Sequence, residues 1–423
     1  MRPIYAALLT VFTIAHVHAQ SMDVEKAETR GAPGEQSVKP AEEPKAQKPS
    51  YRGVSVGSML IYPSIVLSSY YDDNIYATNV NQVNDIVYLL SPEVVINSNW
   101  DRNYLRVEGA ADIARYNKHD TEDHEHYRGL IEGRYDIGKS SNVYGGVQYS
   151  HDVEDRESPD AVFGVTPTVY RNTNAYIGGF QQIGRFWYRV GGTYQNLNFN
   201  NVRSSLGITI NNNDRDRDIY TAGTNFGYLI TPNFSGLIQA SVDYRQYPNG
   251  LDDFGFDRDS KGYRALVGGI YSRAGVMDVE FYLGYMLQNY DDPSFPTVKG
   301  VALSGALDLY LDPDSTFSAY VDRTISETTV FGASSYINSV VGATFTHSLT
   351  TKLSFNLRAS ANRIEFQGQD RVEDYVFAGA TIRYMIGSYI FVQADYTHRT
   401  LDSPIPGQDF YRNQYFLRLG AYL

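Results

Sequence analysis

From Gly53 to Leu423 apolar and polar residues alternate one for one, in segments of about 10 residues set apart by short polar clusters. Few chains can satisfy that pattern. A period of two belongs to a β-strand, whose successive side chains leave opposite faces of the pleat. In the last segment, RNQYFLRLGAYL, Tyr415, Leu417, Leu419, Ala421 and Leu423 share one face. Gln414, Phe416, Arg418, Gly420 and Tyr422 share the other. About 10 such residues cross a bilayer when tilted by about 45°. A strand left at an edge would expose a row of unpaired backbone groups, so the last strand is expected to close a ring with the first.

Three internal segments repeat the pattern. Leu353, Phe355, Leu357, Ala359 and Ala361 alternate with Ser354, Asn356, Arg358, Ser360 and Asn362. Val279, Phe281, Leu283, Tyr285 and Leu287 alternate with Glu280, Tyr282, Gly284, Met286 and Gln288. Leu105, Val107, Gly109, Ala111 and Ile113 alternate with Tyr104, Arg106, Glu108, Ala110 and Asp112. Tight turns are readable near Asp101, Gly138, Gly184, Asn233, Gly275, Asp314, Thr351 and Gly387, where Gly, Pro and Asn suit sharp reversals. Longer polar connections centre on Asp73, Asp120, Glu157, Asn212, Asp253, Ser294, Glu327, Gln369 and Pro406. Eight short turns and nine long loops predict an all-β fold: one transmembrane antiparallel β-barrel of about 18 strands, with short periplasmic turns and long extracellular loops.

The 36 Tyr and 20 Phe suit this fold, since a phenol ring can sit in lipid with its hydroxyl in water. Trp100, Trp187, Phe186, Tyr188, Phe317, Phe345, Phe355 and Tyr384 flank short turns. Tyr149, Tyr194, Tyr220, Tyr244, Tyr263 and Tyr396 flank loops, predicting two aromatic belts. Pro63 and Pro92 fall inside the first two predicted strands, where Pro cannot donate to a ladder. A bulge, a weak pair or a displaced boundary would each account for them.

Residues 1–19 carry Arg2, an apolar run from Ile4 to Ala15 and the ending Val17-His18-Ala19, the form of a secretory signal peptide. Residues 20–52, rich in Glu, Lys, Pro, Ala and Gln, read as a disordered periplasmic linker, leaving 53–423 for the barrel. With no Cys, disulfides and thiolate metal sites are excluded. The net charge of −12 argues against a nucleic-acid partner.

The inner faces are expected to carry Arg106, Glu108, Asp112, Glu132, Arg134, Asp136, Arg189, Asp243, Arg245, Glu280, Asp308, Asp322, Arg358, Arg383, Asp395 and Arg418. They form a candidate pore lining; alternatively, facing Arg and carboxylate ladders simply keep a wet lumen satisfied. Inward Gly284 and Gly305 are expected to leave room for the path, and inward Tyr282, Tyr320, Tyr375 and Tyr422 are candidates for stacking on sugar faces. His119, His124 and His126 lie in an acidic loop whose spacing is diagnostic of no metal. No nucleophile elbow, phosphate loop or zinc signature is present, so neither catalytic residues nor a cofactor are expected.

The stretches LIYPSIVLSSYYDDNIY and LLSPEVVINSNWDRN resemble a family of outer-membrane β-barrel porins commonly encoded with exopolysaccharide biosynthesis genes. Further points of likeness are RESPD at Arg156–Asp160, the RDS of Arg258–Ser260, Glu327 with GASSY after it, and HRTLDS followed by YRN before the last strand. The resemblance spans most of 53–423. It implies a barrel that passes polysaccharide across the outer membrane, among lipid and lipopolysaccharide, cooperating with periplasmic export and inner-membrane synthesis proteins. It supplies no pore residues. One departure is the ending Tyr422-Leu423, with the aromatic one place earlier than such barrels usually have it. A diffusion or sugar-specific uptake porin and a structural or adhesive barrel with a plugged lumen remain open beside the export reading.

Overall fold

The computed structural model describes residues 53–423; the expected signal peptide at 1–19 and the expected linker at 20–52 lie outside the described residues. The sheet has nineteen strands: eighteen of 13–15 residues and the three-residue Val54–Val56. In chain order the long strands are β1 (Met59–Asp72), β2 (Asp85–Ser98), β3 (Tyr104–Tyr116), β4 (His124–Asp136), β5 (Ser141–Val153), β6 (Val169–Ile183), β7 (Phe186–Phe199), β8 (Arg217–Thr231) and β9 (Phe234–Gln246). They continue as β10 (Ser260–Arg273), β11 (Met277–Tyr290), β12 (Val298–Asp312), β13 (Ser315–Glu327), β14 (Ser335–Ser348), β15 (Leu353–Gln367), β16 (Val372–Ile386), β17 (Ile390–Asp402) and β18 (Phe410–Tyr422). Each pairs antiparallel with its neighbours in sequence, and β1 pairs with β18 from Ser64↔Tyr422 to Asp72↔Gln414, closing the barrel. The turns and loops fall where the sequence places them.

A strand of 14 residues is about 46 Å long and, tilted by about 45°, about 33 Å tall. That exceeds the apolar band of about 25 Å, so the strands project beyond the bilayer and their ends build the mouth.

The faces follow the alternation. Leu417, Leu283 and Leu357 are exposed, whereas Arg418, Gln288 and Arg358 are buried. That inversion of the soluble-protein rule is the mark of a barrel with lipid outside and polar groups inside. Outward rings meet across strands at both ends: Tyr194 and Tyr220 have centroids 5.1 Å apart, as do Tyr396 and Tyr415, near the loops. Phe186 and Tyr228 (4.9 Å) and Phe345 and Phe355 (5.8 Å) lie near the turns.

Two expectations are corrected. Trp187 belongs to no belt: its ring is buried inside, and its indole N–H donates to Ser235 Oγ at 2.8 Å. Gly305 faces outward, because it pairs with lipid-facing Phe281 and Val321, while Ser304 beside it pairs with inward Tyr282.

Both prolines sit inside strands without a register shift. β2 keeps one register against β3, but the ladder lapses between Leu90↔Ile113 and Glu93↔Ala110, at Pro92. Pro63 is opposite Val94, two places from the Ile65↔Pro92 pair. The Pro63 carbonyl accepts from Leu423 N–H at 3.2 Å, and Gly53 N–H donates to the Leu423 carbonyl at 3.1 Å. A residue's N–H and C=O point to the same neighbour in an antiparallel ladder, so the donor that Pro63 lacks falls at the junction of Leu423 and Gly53. Val54–Val56 then pairs with the start of β1, Val54 opposite Ile61, and continues the line of β18.

Candidate functional site: a charged mouth under an inward-folded loop

Along one strand, positions two apart share a face. The inner wall uses this repeatedly. Arg106 pairs with Glu108, Arg134 with Asp136 (2.9 Å), and Arg245 with Asp243 (2.9 Å). Between strands, Arg418 Nε reaches Asp395 at 2.8 Å, Arg383 Nε donates to Gln393 at 2.7 Å, and Tyr176 donates to Glu132 at 2.7 Å. Asp112 accepts from Ser91, and Asp308 accepts from Ser318. Arg189, Glu280, Asp322 and Arg358 also occupy inner-face positions, the last 5.7 Å from the Phe377 ring. Much of the wall is therefore paired with itself.

The expected tyrosines do not form one track. Tyr282 belongs to an apolar cluster with Leu266, Met286 and Ile325, whereas Tyr375 packs with Phe377, Leu401 and Phe410. Tyr320 lies against Gly342, and Tyr422 has its ring 6.0 Å from Phe391.

The most connected part of the interior lies at the loop end. The β5–β6 loop, from Glu154 to Thr168, folds into the barrel. Its Glu154 forms a bidentate pair with buried Arg215 of the β7–β8 loop (2.6 and 2.9 Å). Arg156 Nε holds Glu122 at 3.1 Å. Glu157 reaches Arg412 of β18 (3.4 Å) and Arg399 of β17 (3.6 Å). Asp160 accepts from Thr328 Oγ1, beyond β13 and far around the ring. Thr328 in turn offers its carbonyl to Arg258, which also bonds Asp252 (2.7 Å) and the Ala333 carbonyl (3.0 Å). Glu327 gathers Arg245, Tyr247 (2.8 Å) and Tyr290 (3.2 Å). On the seam side Arg412 binds Asp72 at 2.6 Å, and Asn74 donates to the carbonyls of Thr78 (2.8 Å) and Tyr411 (2.9 Å). A cavity of about 60 Å³ remains between the loop and the wall, lined in part by Tyr70, Glu122, His124, Glu157 and Arg412.

Charge is concentrated here at low exposure. Burial pushes the Asp160 carboxyl up, partly offset by Arg215 and the Thr328 hydrogen bond. Asp214, desolvated and close to Asp253, is pushed up to about 6. Asp292 at the loop rim is lowered by the backbone N–H groups of Ser294 and Asp257. His119 Nδ1 lies 2.8 Å from Asp85 and His124 Nδ1 2.7 Å from the Glu122 carbonyl, whereas His126 Nδ1 is buried without a hydrogen-bond partner, 3.5 Å from Asp152. Among the described residues no group of three or more His, Cys, Asp or Glu is placed to hold a metal ion.

The sequence reading did not count Asp72, Arg258, Arg399, Arg412 or Arg264 among the lumen residues, although all but Arg264 fall in the segments that carry the resemblance. For Arg264 and Arg399 the signal was present, as both are polar positions in alternating segments. For the loop partners no local signal exists, because their contacts join positions far apart in sequence.

The fold, the polar interior and the lipid-facing surface define an outer-membrane β-barrel porin. The family model described as "Putative beta-barrel porin 2" matches residues 48–421, and the chain belongs to that family. Solved structures similar to it include Pseudomonas aeruginosa OpdL, with 11% identity, a TM-score of 0.44 and coverage of 87% of this chain and 100% of that one. Pseudomonas aeruginosa OpdO has 12% identity, a TM-score of 0.45 and coverage of 87% and 98%. Acinetobacter baumannii OccAB4 has 10% identity, a TM-score of 0.43 and coverage of 86% and 98%. No curated protein matches the sequence.

Proposed function

We propose that this porin gives an exopolysaccharide its route outward across the outer membrane. The observation that carries the reading is where the resemblance falls in space. The YDDN, RESPD, RDS, Glu327 and HRTLDS…YRN segments are scattered through the sequence, yet Asp72, Glu157, Asp160, Arg258, Glu327, Arg399 and Arg412 meet in the mouth network. Part of the likeness to exopolysaccharide-associated porins thus falls on the mouth, beside the stretches around Pro63 and Pro92 that belong to the barrel wall. A lumen of Arg, carboxylate and amide groups offers hydrogen bonds of both senses, which suits a hydroxyl-rich polymer. In this reading periplasmic export and inner-membrane synthesis proteins deliver the chain to the short-turn side.

A clean deletion strain tests the proposal. Surface polysaccharide should be lost, small-sugar uptake should stay close to wild type, and plasmid-borne protein should restore export. Normal surface polysaccharide with impaired sugar uptake would assign the barrel to diffusion instead. Normal values for both would favour the plugged, adhesive barrel, toward which the inward loop points.

A further inference from the structure

Beside the paired charges of the mouth lies one cleft with a largely apolar lining. The β1–β2 loop supplies Tyr76, Thr78, Val80 and Asn81 to it, and the inward β5–β6 loop supplies Arg156 and Phe163. Its volume is about 270 Å³, against about 60 Å³ for the cavity between the loop and the wall. Phe163 is 76% exposed, more than any other aromatic residue among those described. Lipid does not explain this, since Phe163 stands on a loop and not on the outer face of a strand. Val80, on the facing loop, is 68% exposed.

Both walls of the cleft are pinned. Asn74 donates to the Thr78 carbonyl at 2.8 Å and accepts from Thr78 N–H at 3.0 Å, and Ile75 N–H donates to the Val83 carbonyl at 2.9 Å. On the other side Arg156 Nη1 donates to the Gly164 carbonyl at 3.0 Å, and Val165 N–H to the Arg203 carbonyl at 2.7 Å. The Arg156 guanidinium lies 5.8 Å from the centroid of the Tyr76 ring, and Glu122 neutralises it at 2.5 and 3.1 Å. Its three bonds leave two of the five guanidinium N–H groups open. Asn81 is exposed, with its backbone at φ +54°, where Asn is tolerated, and its amide bonds to no described residue. Apolar walls with a few open polar groups are how small-molecule pockets are lined.

We propose that this cleft binds one uncharged pyranose unit of the polymer as it passes the mouth. A pyranose presents a face of C–H groups and a rim of hydroxyls. The face packs on the rings of Phe163 and Tyr76, and the rim meets the Asn81 amide and the open N–H groups of Arg156. A fatty chain would cover the same apolar walls but strip water from Asn81 and Arg156 without answering them, which is costly. A sugar carboxylate would find Arg156 already neutralised and Glu122 beside it. The cleft deepens the export reading by placing a sugar contact at the passage, and it rests on that reading only for the source of the sugar.

The test is saturation-transfer NMR on the purified full barrel in detergent, with the methyl glycosides of glucose, galactose and mannose as probes and 1,2-hexanediol as an aliphatic control. Wild type should transfer to at least one glycoside, most strongly to the axial hydrogens of one ring face. Phe163→Ala should lower that transfer at least about fivefold. Asn81→Gly, which removes the amide and keeps the left-handed backbone, should also lower it. Phe331→Ala, at another exposed loop aromatic, should leave it unchanged. Heat-modifiable mobility in gels reports folding, and Phe163→Leu, which keeps apolar bulk without the ring, stands in if Phe163→Ala does not fold. No face-selective transfer from wild type, or equal loss in Phe163→Ala and Phe331→Ala, overturns the proposal. A Phe163-dependent signal from the diol with none from any glycoside would assign the cleft to an aliphatic ligand and overturn it too. A deletion strain with normal polysaccharide would overturn export alone and leave the glycoside signals as they are.

Discussion

Arg412 on β18 grips Asp72 on β1 across the seam of the barrel, with Nη2 2.6 Å and Nε 3.0 Å from the same carboxylate oxygen. The Asp72 side chain is fully buried, and Gln414 adds a third hydrogen bond at 2.6 Å. The pair sits at the mouth end of the closure, where Glu157 of the inward loop also touches Arg412. One guanidinium thus joins the two ends of the sheet to the loop that enters the lumen.

Removing that guanidinium should strand a buried carboxylate. Arg412→Met is expected to cost about 3–5 kcal/mol, whereas Arg412→Met with Asp72→Asn should recover much of the loss, because no uncompensated charge remains. Urea midpoints of the folded, heat-modifiable form measure both. Equal damage from the single and double variants would show that the pair closes nothing.

The lipid-facing assignment is tested at Leu283, which pairs with Val267 and Leu303 midway along β11. Leu283→Arg should destabilise the barrel by about 2–4 kcal/mol in lipid. Asn356→Arg, on the half-buried inner face where Asn356 donates to Thr346, should be mild. Gln288 is a poorer inner control, being wedged beside Ser260 and Asp243. Equal losses at Leu283 and Asn356 would mean that the two faces are wrongly divided.

Inward glycines differ in what they protect. A Cβ at Gly284 would stand 1.9 Å from the Ala265 carbonyl oxygen, so Gly284→Ala must push β10 and β11 apart and should cost about 1–3 kcal/mol. At Gly300 the same addition meets side chains no closer than 3.7 Å and should be nearly neutral. Thermal unfolding in detergent separates the two, and similar midpoints would contradict the tight β10–β11 approach.

The mouth should respond to pH through Asp214, pushed up to about 6 by burial and by Asp253 and Asp252, against Arg215 and the Asp253 backbone N–H. A carboxyl raised in the folded state favours the protonated form, so its stabilising share is present at low pH and lost as pH rises through about 6. Hydrogen exchange in the β7–β8 loop should therefore slow as pH falls from about 7 to about 5, after correction for the intrinsic rate. Asp214→Asn should flatten the profile; an unchanged profile in that variant would remove Asp214 as its source.

How much of this was legible follows from what fixes each feature. Strand faces were readable because parity is local: Leu417 out and Arg418 in can be read from RNQYFLRLGAYL alone. Parity also exposes the error at Gly305, an odd distance along β12 from inward Asp308, so the two cannot share a face. Trp187 misled because proximity to a turn was read in place of parity. The loop network was not readable, since Asp160–Thr328 and Glu157–Arg412 are made by charges that become neighbours only when the ring closes. Pro63 was legible as an anomaly, and its resolution needed the pairing of Leu423 with Gly53.

The most direct measurement of the central claim, passage of the polymer inside the barrel, uses the absence of Cys from the chain. Single cysteines at inward, half-buried Thr344 and at outward Ala343 on the same strand differ only in face. Each is introduced into the deletion strain and treated in cells with a bulky thiol reagent, and surface polysaccharide is quantified against the labelled fraction. The account predicts that labelling Thr344→Cys lowers polysaccharide in proportion to the label, while Ala343→Cys exports normally. Undiminished export from fully labelled Thr344→Cys would contradict it.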